Sequence, residues 1–132
     1  TGEFVVNTVS CDLREAMNLS STPAPHGVDE FELAGLEKAA SLKVRPPRVA
    51  ASPANLECRV LQIVEIAPEH PGETPSTVVF GRVLGLHLRG EFVGAQGRFD
   101  TARARPLTRL GGHQYATVGE LIEMPPPFQR RD

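Results

Sequence analysis

The stretch that decides the fold is Asn55-Leu56-Glu57-Cys58-Arg59-Val60-Leu61-Gln62-Ile63-Val64-Glu65-Ile66-Ala67. After the turn-rich segment 68–76 it is answered by Thr77-Val78-Val79-Phe80-Gly81-Arg82-Val83-Leu84-Gly85-Leu86-His87-Leu88. In the first run Leu56, Cys58 and Val60 alternate with Glu57 and Arg59, the period of two that a half-buried strand imposes. The parity changes at Val60-Leu61, and Leu61 and Ile63 continue out of phase. A slip of one residue turns every later side chain to the opposite face, so a β-bulge is predicted there. The segment between the runs, Pro68 to Ser76, has three prolines and a glycine and the composition of a hairpin tip. In the second run Gly81 and Gly85 share one parity with Val79, Val83 and His87. Two glycines on one face of a strand have two readings. A planar ligand or a dimer partner lies against the backbone, or the strand bends in a curved barrel. His87, on that face, is read as structural or exposed ahead of ligand-binding.

Outward from this hairpin, Glu3 to Val9 is β-branched and apolar and predicts a buried strand. Ser10 or Asp12 opens a helix to about Leu19, with capping-box spacing at Asp12-Leu13-Arg14-Glu15 and Leu13, Ala16 and Met17 on one face. Segment 20–28 is a loop. Segment 29–34 is a short helical turn with an acidic start, and Gly35 suits the left-handed position after it. Segment 36–52 is extended and broken by Pro46-Pro47, an edge strand at best. Downstream, 90–104 reads as irregular and 105–110 as a short helix or turn. Segments 115–118 and 121–123 read as short final strands, and Pro125-Pro126-Pro127 ends the fold. Several strands with few helices predict an antiparallel barrel or sandwich with helical insertions.

The 132 residues suit one domain, and 40% apolar with 23% charged residues excludes a disordered tail, a collagen-like fibre and a disulfide-dense miniprotein. A net charge of −2 leaves no footprint for nucleic acid or an acidic membrane. No stretch approaches the roughly 20 apolar residues that span a bilayer, and no signal pattern opens the chain, so a cytoplasmic protein is expected. Cys11 and Cys58 make no CxxC pair and read as reduced thiols.

Catalytic signatures are absent. There is no GxSxG elbow, no Walker loop and no GxGxxG after a strand. His26, His70, His87 and His113 have no metal-ligand spacing, so no metal site is expected. Redox or group-transfer chemistry would therefore come from a bound organic cofactor. The most site-like stretch is Arg105 to Tyr115. Its arginines offer fork-like donors for a phosphate or an electron-rich ring edge, Gly111 and Gly112 allow close backbone approach, and Tyr115 offers a ring surface. The alternative is a helix C-cap with surface arginines and a core tyrosine. Segment 18–22, Asn-Leu-Ser-Ser-Thr, either lines a mouth or is simple turn chemistry.

Seven segments in order resemble the flavin reductase-like family. They are Gly2-Glu3-Phe4-Val5-Val6-Asn7, Glu15-Ala16-Met17-Asn18, Gly27-Val28-Asp29-Glu30-Phe31, Pro46-Pro47-Arg48-Val49, Ser52-Pro53-Ala54-Asn55-Leu56-Glu57-Cys58, Val79-Phe80-Gly81-Arg82-Val83, and Arg105-Pro106-Leu107 through Arg109-Leu110-Gly111-Gly112 to Tyr115-Ala116. The resemblance implies a mainly β, antiparallel Greek-key split β-barrel that binds FMN, with short helical insertions. It implies a homodimer with flavin near the subunit interface, and hydride transfer from NAD(P)H to flavin. A partner monooxygenase often receives the reduced flavin, while some relatives are FMN-binding electron carriers. The family's early strands, rich in asparagine and serine, and its Lys/Arg-Asp-Thr element have no counterpart here. Residues 1–124 are thus expected to be the C-terminal part of one domain, with its N-terminal strands missing from this chain, and 125–132 a polar proline-rich tail. A structural module without flavin is the third reading. Within the resemblance, Arg109, Gly111, Gly112 and Tyr115 are the expected cofactor-binding residues, with Asn7, Ser20 and Thr22 at the mouth.

Overall fold

The computed structural model describes residues 2–127, and the last five residues of the expected tail lie outside them. Among the described residues there are seven strands: β1 (Glu3–Asn7), β2 (Lys38–Ala39), β3 (Arg48–Val49), β4 (Ala54–Ile66), β5 (Ser76–Leu88), β6 (Leu107–Arg109) and β7 (Tyr115–Thr117). Three short helices accompany them: α1 (Arg14–Ser20), α2 (Glu30–Leu33) and α3 (Thr101–Ala104). Among the described residues the strands form one three-stranded antiparallel sheet in the order β1-β4-β5, and two pairs, β2-β3 and β6-β7.

The predicted bulge is present. Val60 pairs with Gly81 and Gln62 with Phe80, so Leu61 is the extra residue. A second bulge was not foreseen. Glu57 pairs with Gly85 and Cys58 with Val83, which leaves Leu84 extra on β5. This corrects the expectation that Gly81 and Gly85 share a face, because the insertion between them reverses the parity. Gly81 faces Phe4 and Cys58, whereas Gly85 faces Glu57 and Lys43. The flat group over Gly81 is the chain's own Phe4 ring, whose Cζ lies 2.5 Å from where a Cβ would stand. Gly81→Val is therefore expected to lower stability by about 1–3 kcal/mol through overpacking. Adding Phe4→Ala removes most of that cost in denaturant melts, and strictly additive losses would sink this account.

The two sheet faces differ in kind. One carries Phe4, Val6, Leu56, Cys58, Val83 and Leu86, and it leaves Val6 47%, Val83 51% and Leu86 59% exposed. The other carries Asn7, Asn55, Glu57 and His87 and is crossed by the chain from β2 to β3. Side chains of the sheet hold this strap by its backbone. Arg45 N–H donates to Glu3 Oε2 at 3.1 Å, and Val49 N–H donates to Asn7 Oδ1 at 2.9 Å. Asn55, buried at 1% exposure, donates to Asn7 Oδ1 (2.8 Å) and to the Val49 carbonyl (3.2 Å).

Other local expectations divide. Asp29 caps α2 by accepting from Phe31 N–H, and Gly35 takes the left-handed conformation after it. The capping box at Asp12 is not formed; a 3₁₀ turn at Cys11–Leu13 precedes α1, and neither N-cap makes a side-chain bond. Segment 105–110 contains strand β6, not a helix, because Leu107 N–H is drawn to the Val9 carbonyl at 2.8 Å and β7 pairs with it. Leu121 to Glu123 form no strand and lie exposed, with no partner strand beside them. Cys11 and Cys58 are free thiols. Among the described residues no helix is long and apolar enough to cross a membrane.

Candidate functional site

Segment 105–117 is an arm docked on the start of α1. Cys11 N–H donates to the Arg105 carbonyl at 3.0 Å, and Ser10 bridges Pro106. Arg105 ends α3 in the left-handed region at φ 45°, which turns the chain into β6. Gly111 and Gly112 do not cap a helix. They form the turn of the β6–β7 hairpin, where Gly112 has φ 59° and Gln114 N–H donates to the Gly111 carbonyl.

Between this hairpin and α1 lies a cleft of about 320 Å³, lined by Arg14, Glu15, Met17, Asn18, Leu107, His113 and Tyr115, with Glu15 Oε1 3.4 Å from Arg14 Nη2. Such a volume sits at the low end of the roughly 300–1,000 Å³ found for small-molecule sites. Arg109 stands beside it, opposite Tyr115 in the strand register. Its Nη1 donates to Tyr115 Oη at 3.1 Å and its Nη2 to the Gly112 carbonyl at 3.3 Å. These two bonds hold the guanidinium 5.6 Å from the tyrosine ring centroid and leave part of its donor fork free. The expected residues Arg109, Gly112 and Tyr115 are thus one contact group.

Asn7 and Ser20 sit elsewhere, beside a smaller cavity on the other side of α1. Asn7 Oδ1 is already bonded twice, and Ser20 Oγ donates back to the Met17 carbonyl. Thr22 is exposed beyond α1 and lines neither cavity. Met17 and His113 are wall residues that residue-by-residue reasoning passed over. Met17 looked like core on a helical face, and His113 lacked any partner spacing.

The largest omission is Glu57, which alternation assigned to a polar face and which is 0% exposed. Its Oε1 accepts from Leu42 N–H (2.8 Å), and its Oε2 accepts from Lys43 (2.5 Å) and Val44 (3.1 Å) N–H. Oε1 also meets His87 Nε2. Burial alone pushes this carboxyl up. The Leu42 N–H, His87 and the Lys43 and Val44 N–H groups outweigh burial and hold it at about 2. With both oxygens engaged it is a fastener for the strap and not a general base. His87 is accordingly structural.

The mainly β chain built on a bulged hairpin matches the split-barrel fold of solved proteins. The structure superposes on a Shewanella frigidimarina protein with a split barrel domain (TM-score 0.79, 19% identity, 95% of this chain and 61% of that one). It also superposes on nitrilotriacetate monooxygenase component B from Bacillus cereus (TM-score 0.82, 28% identity, 93% and 60%). The chain belongs to the flavin reductase like domain family, whose pattern matches residues 1–107. An uncharacterized protein of Deinococcus radiodurans is 42% identical over 113 residues, 84% of this chain and 47% of that protein. The chain thus spans about half to three-fifths of the proteins it matches.

Proposed function

We propose that the chain helps to bind FMN in an oxidoreductase that passes hydride from NAD(P)H to flavin, with a partner monooxygenase as the consumer of reduced flavin. The observation that carries this reading is the Arg109–Tyr115 group beside the cleft, in a chain of this family. The likeness to a monooxygenase component B supports the partner. The donor set fits the group. Met17 and Leu107 give apolar contact for a ring, Tyr115 gives an edge or stacking surface, and Asn18 in the lining, with Arg109 held beside it on Tyr115 Oη, gives donors for its electron-rich edge. When bound, flavin supplies a hydride acceptor at N5. The chain's part is to orient the ring, place positive charge beside it and keep Arg109 aimed through Tyr115 Oη.

FMN titrated into the chain is expected to give saturable quenching of flavin fluorescence, and NADH or NADPH to be oxidised with FMN present. Binding without turnover would favour an FMN-binding electron carrier. Absence of both would overturn the proposal and favour an interaction module without flavin.

A second copy of the chain is our reading of the partner on the apolar sheet face. Exposed Val6, Val83 and Leu86 and the two sheet edges, β1 and β5, support it. Leu86→Glu is then expected to halve the mass seen by sedimentation. An unchanged mass would remove this face from the interface.

A further inference from the structure

Past the strap, the polar face of the long hairpin continues in the open. Glu3, Arg59 and Arg82 form one row across β1, β4 and β5. Glu3 holds the strap by the Arg45 N–H, so this row lies on the strap's side of the sheet. Gly81 faces Phe4 and Cys58 on the other side, which turns its neighbours Phe80 and Arg82 to the strap's side. The next row on that side pairs Gln62 with Phe80. Phe80 is 51% exposed, and Gln62 is exposed beside it. The charges of this face do not balance. Arg59 and Arg82 stand directly opposite each other, an arrangement that repulsion disfavours. Glu3 is shared between Arg45, 3.4 Å from its Oε2, and Arg59, 3.9 Å from its Oε1. Glu57, in the row behind, is taken up by the strap's N–H groups, and Glu65 has the opposite parity to Gln62. Among the described residues Arg82 makes no hydrogen bond or ion pair.

We propose that these two rows are a binding site for the phosphate-bearing end of an adenine nucleotide. Arg59 and Arg82 present planar donor forks that suit a phosphate dianion, and a dianion between them cancels their repulsion. Phe80 lies two residues from Arg82, about 7 Å along the strand, a gap that one ribose spans. Its exposed ring is a platform on which a base stacks. Gln62, opposite that ring, carries the donor and the acceptor that meet N7 and N6 of adenine. Inorganic phosphate would use the arginines and leave Phe80 bare, so ring and charge together select a nucleotide. The site lies on the opposite sheet face from Val83 and apart from the cleft lined by Met17 and Tyr115, so it does not rest on flavin binding there.

The test titrates AMP, adenosine and inorganic phosphate into the ¹⁵N-labelled chain and follows the backbone amide signals. AMP is expected to shift the Gln62, Phe80 and Arg82 amides saturably, to leave Asn18 and Tyr115 unmoved, and to bind more tightly than adenosine or phosphate. Arg82→Gln is expected to weaken AMP by about 10-fold and to leave adenosine unchanged. Phe80→Leu, which keeps an apolar side chain, is expected to weaken AMP and adenosine alike by about 5-fold and to leave phosphate unchanged. Unmoved amides at Phe80 and Arg82, shifts at Asn18 and Tyr115 in their place, or equal AMP affinity in a folded Arg82→Gln would each overturn the proposal. A change in sedimenting mass caused by Arg82→Gln without AMP would assign the face to a second copy of the chain and overturn it as well.

Discussion

Glu57→Gln is expected to lower the melting temperature by about 5–10 °C, a loss set by buried donors left facing the wrong group. Both carboxylate oxygens of Glu57 receive backbone N–H groups from residues 42–44. A glutamine must turn its –NH₂ toward one of those donors, so one end of the strap loses its acceptor. Hydrogen exchange at Leu42, Lys43 and Val44 should then quicken about 10-fold or more, whereas exchange in β4 and β5 away from the strap should change less. Wild-type exchange rates at those three amides would refute the fastener role.

The same residue sets an acid dependence. Its folded pKa of about 2 lies below the ordinary 4.5, so the fold binds the ionised form. The stabilisation is complete above about 4.5 and is lost as the pH falls through the folded value near 2. Glu3 is lowered too, mainly by the Arg45 backbone N–H, and adds to the same window. Melts between pH 7 and pH 2 should therefore be flatter for Glu57→Gln than for the wild type, with the Glu3 contribution remaining. Parallel curves would show that Glu57 titrates alike in the folded and unfolded chain.

The second large effect concerns the cleft. Arg109→Gln is expected to weaken FMN by about 10-fold or more, since a charged hydrogen bond contributes about 1.5–3 kcal/mol. Arg109→Lys should recover only part, because an ammonium cannot hold Tyr115 Oη, the Gly112 carbonyl and a ligand in one planar fork. Tyr115→Phe, which frees Nη1 but keeps the ring, should cost less than Arg109→Gln. Arg109 is exposed, so the melting temperature should move little in these variants. Unchanged FMN affinity in Arg109→Gln, with the fold intact, would remove Arg109 from the site.

Much of the fold was legible because strand alternation and turn composition are local. The hairpin 54–88, its bulge at Leu61, the capped turn at Asp29 and the strand at Tyr115 each follow from a few neighbouring residues. The bulge at Leu84 was not legible. Both parities of β5 are apolar around it, so no change of phase marks the insertion, and the faces of Gly81 and Gly85 were misread as a result. β6 was misread for a related reason: four residues between a proline and a glycine pair carry too short a pattern, and the strand state of the first three comes from Val9 and β7.

The sequence by itself determined the mainly β class, the long bulged hairpin, the family resemblance and the grouping of Arg109 with Tyr115, since these reside in short-range patterns and ordered motifs. Only the tertiary structure decided what Glu57 does, which flat group covers Gly81, and that Asn7 and Ser20 border a different cavity from Tyr115. A strand's alternation states which residues share a face but not what will lie on that face. The donors that make Glu57 a buried anion come from a strap 13 to 15 residues away, and the Val49 amide that engages Asn7 lies 42 residues from it. Such partners become neighbours only when the chain closes on itself.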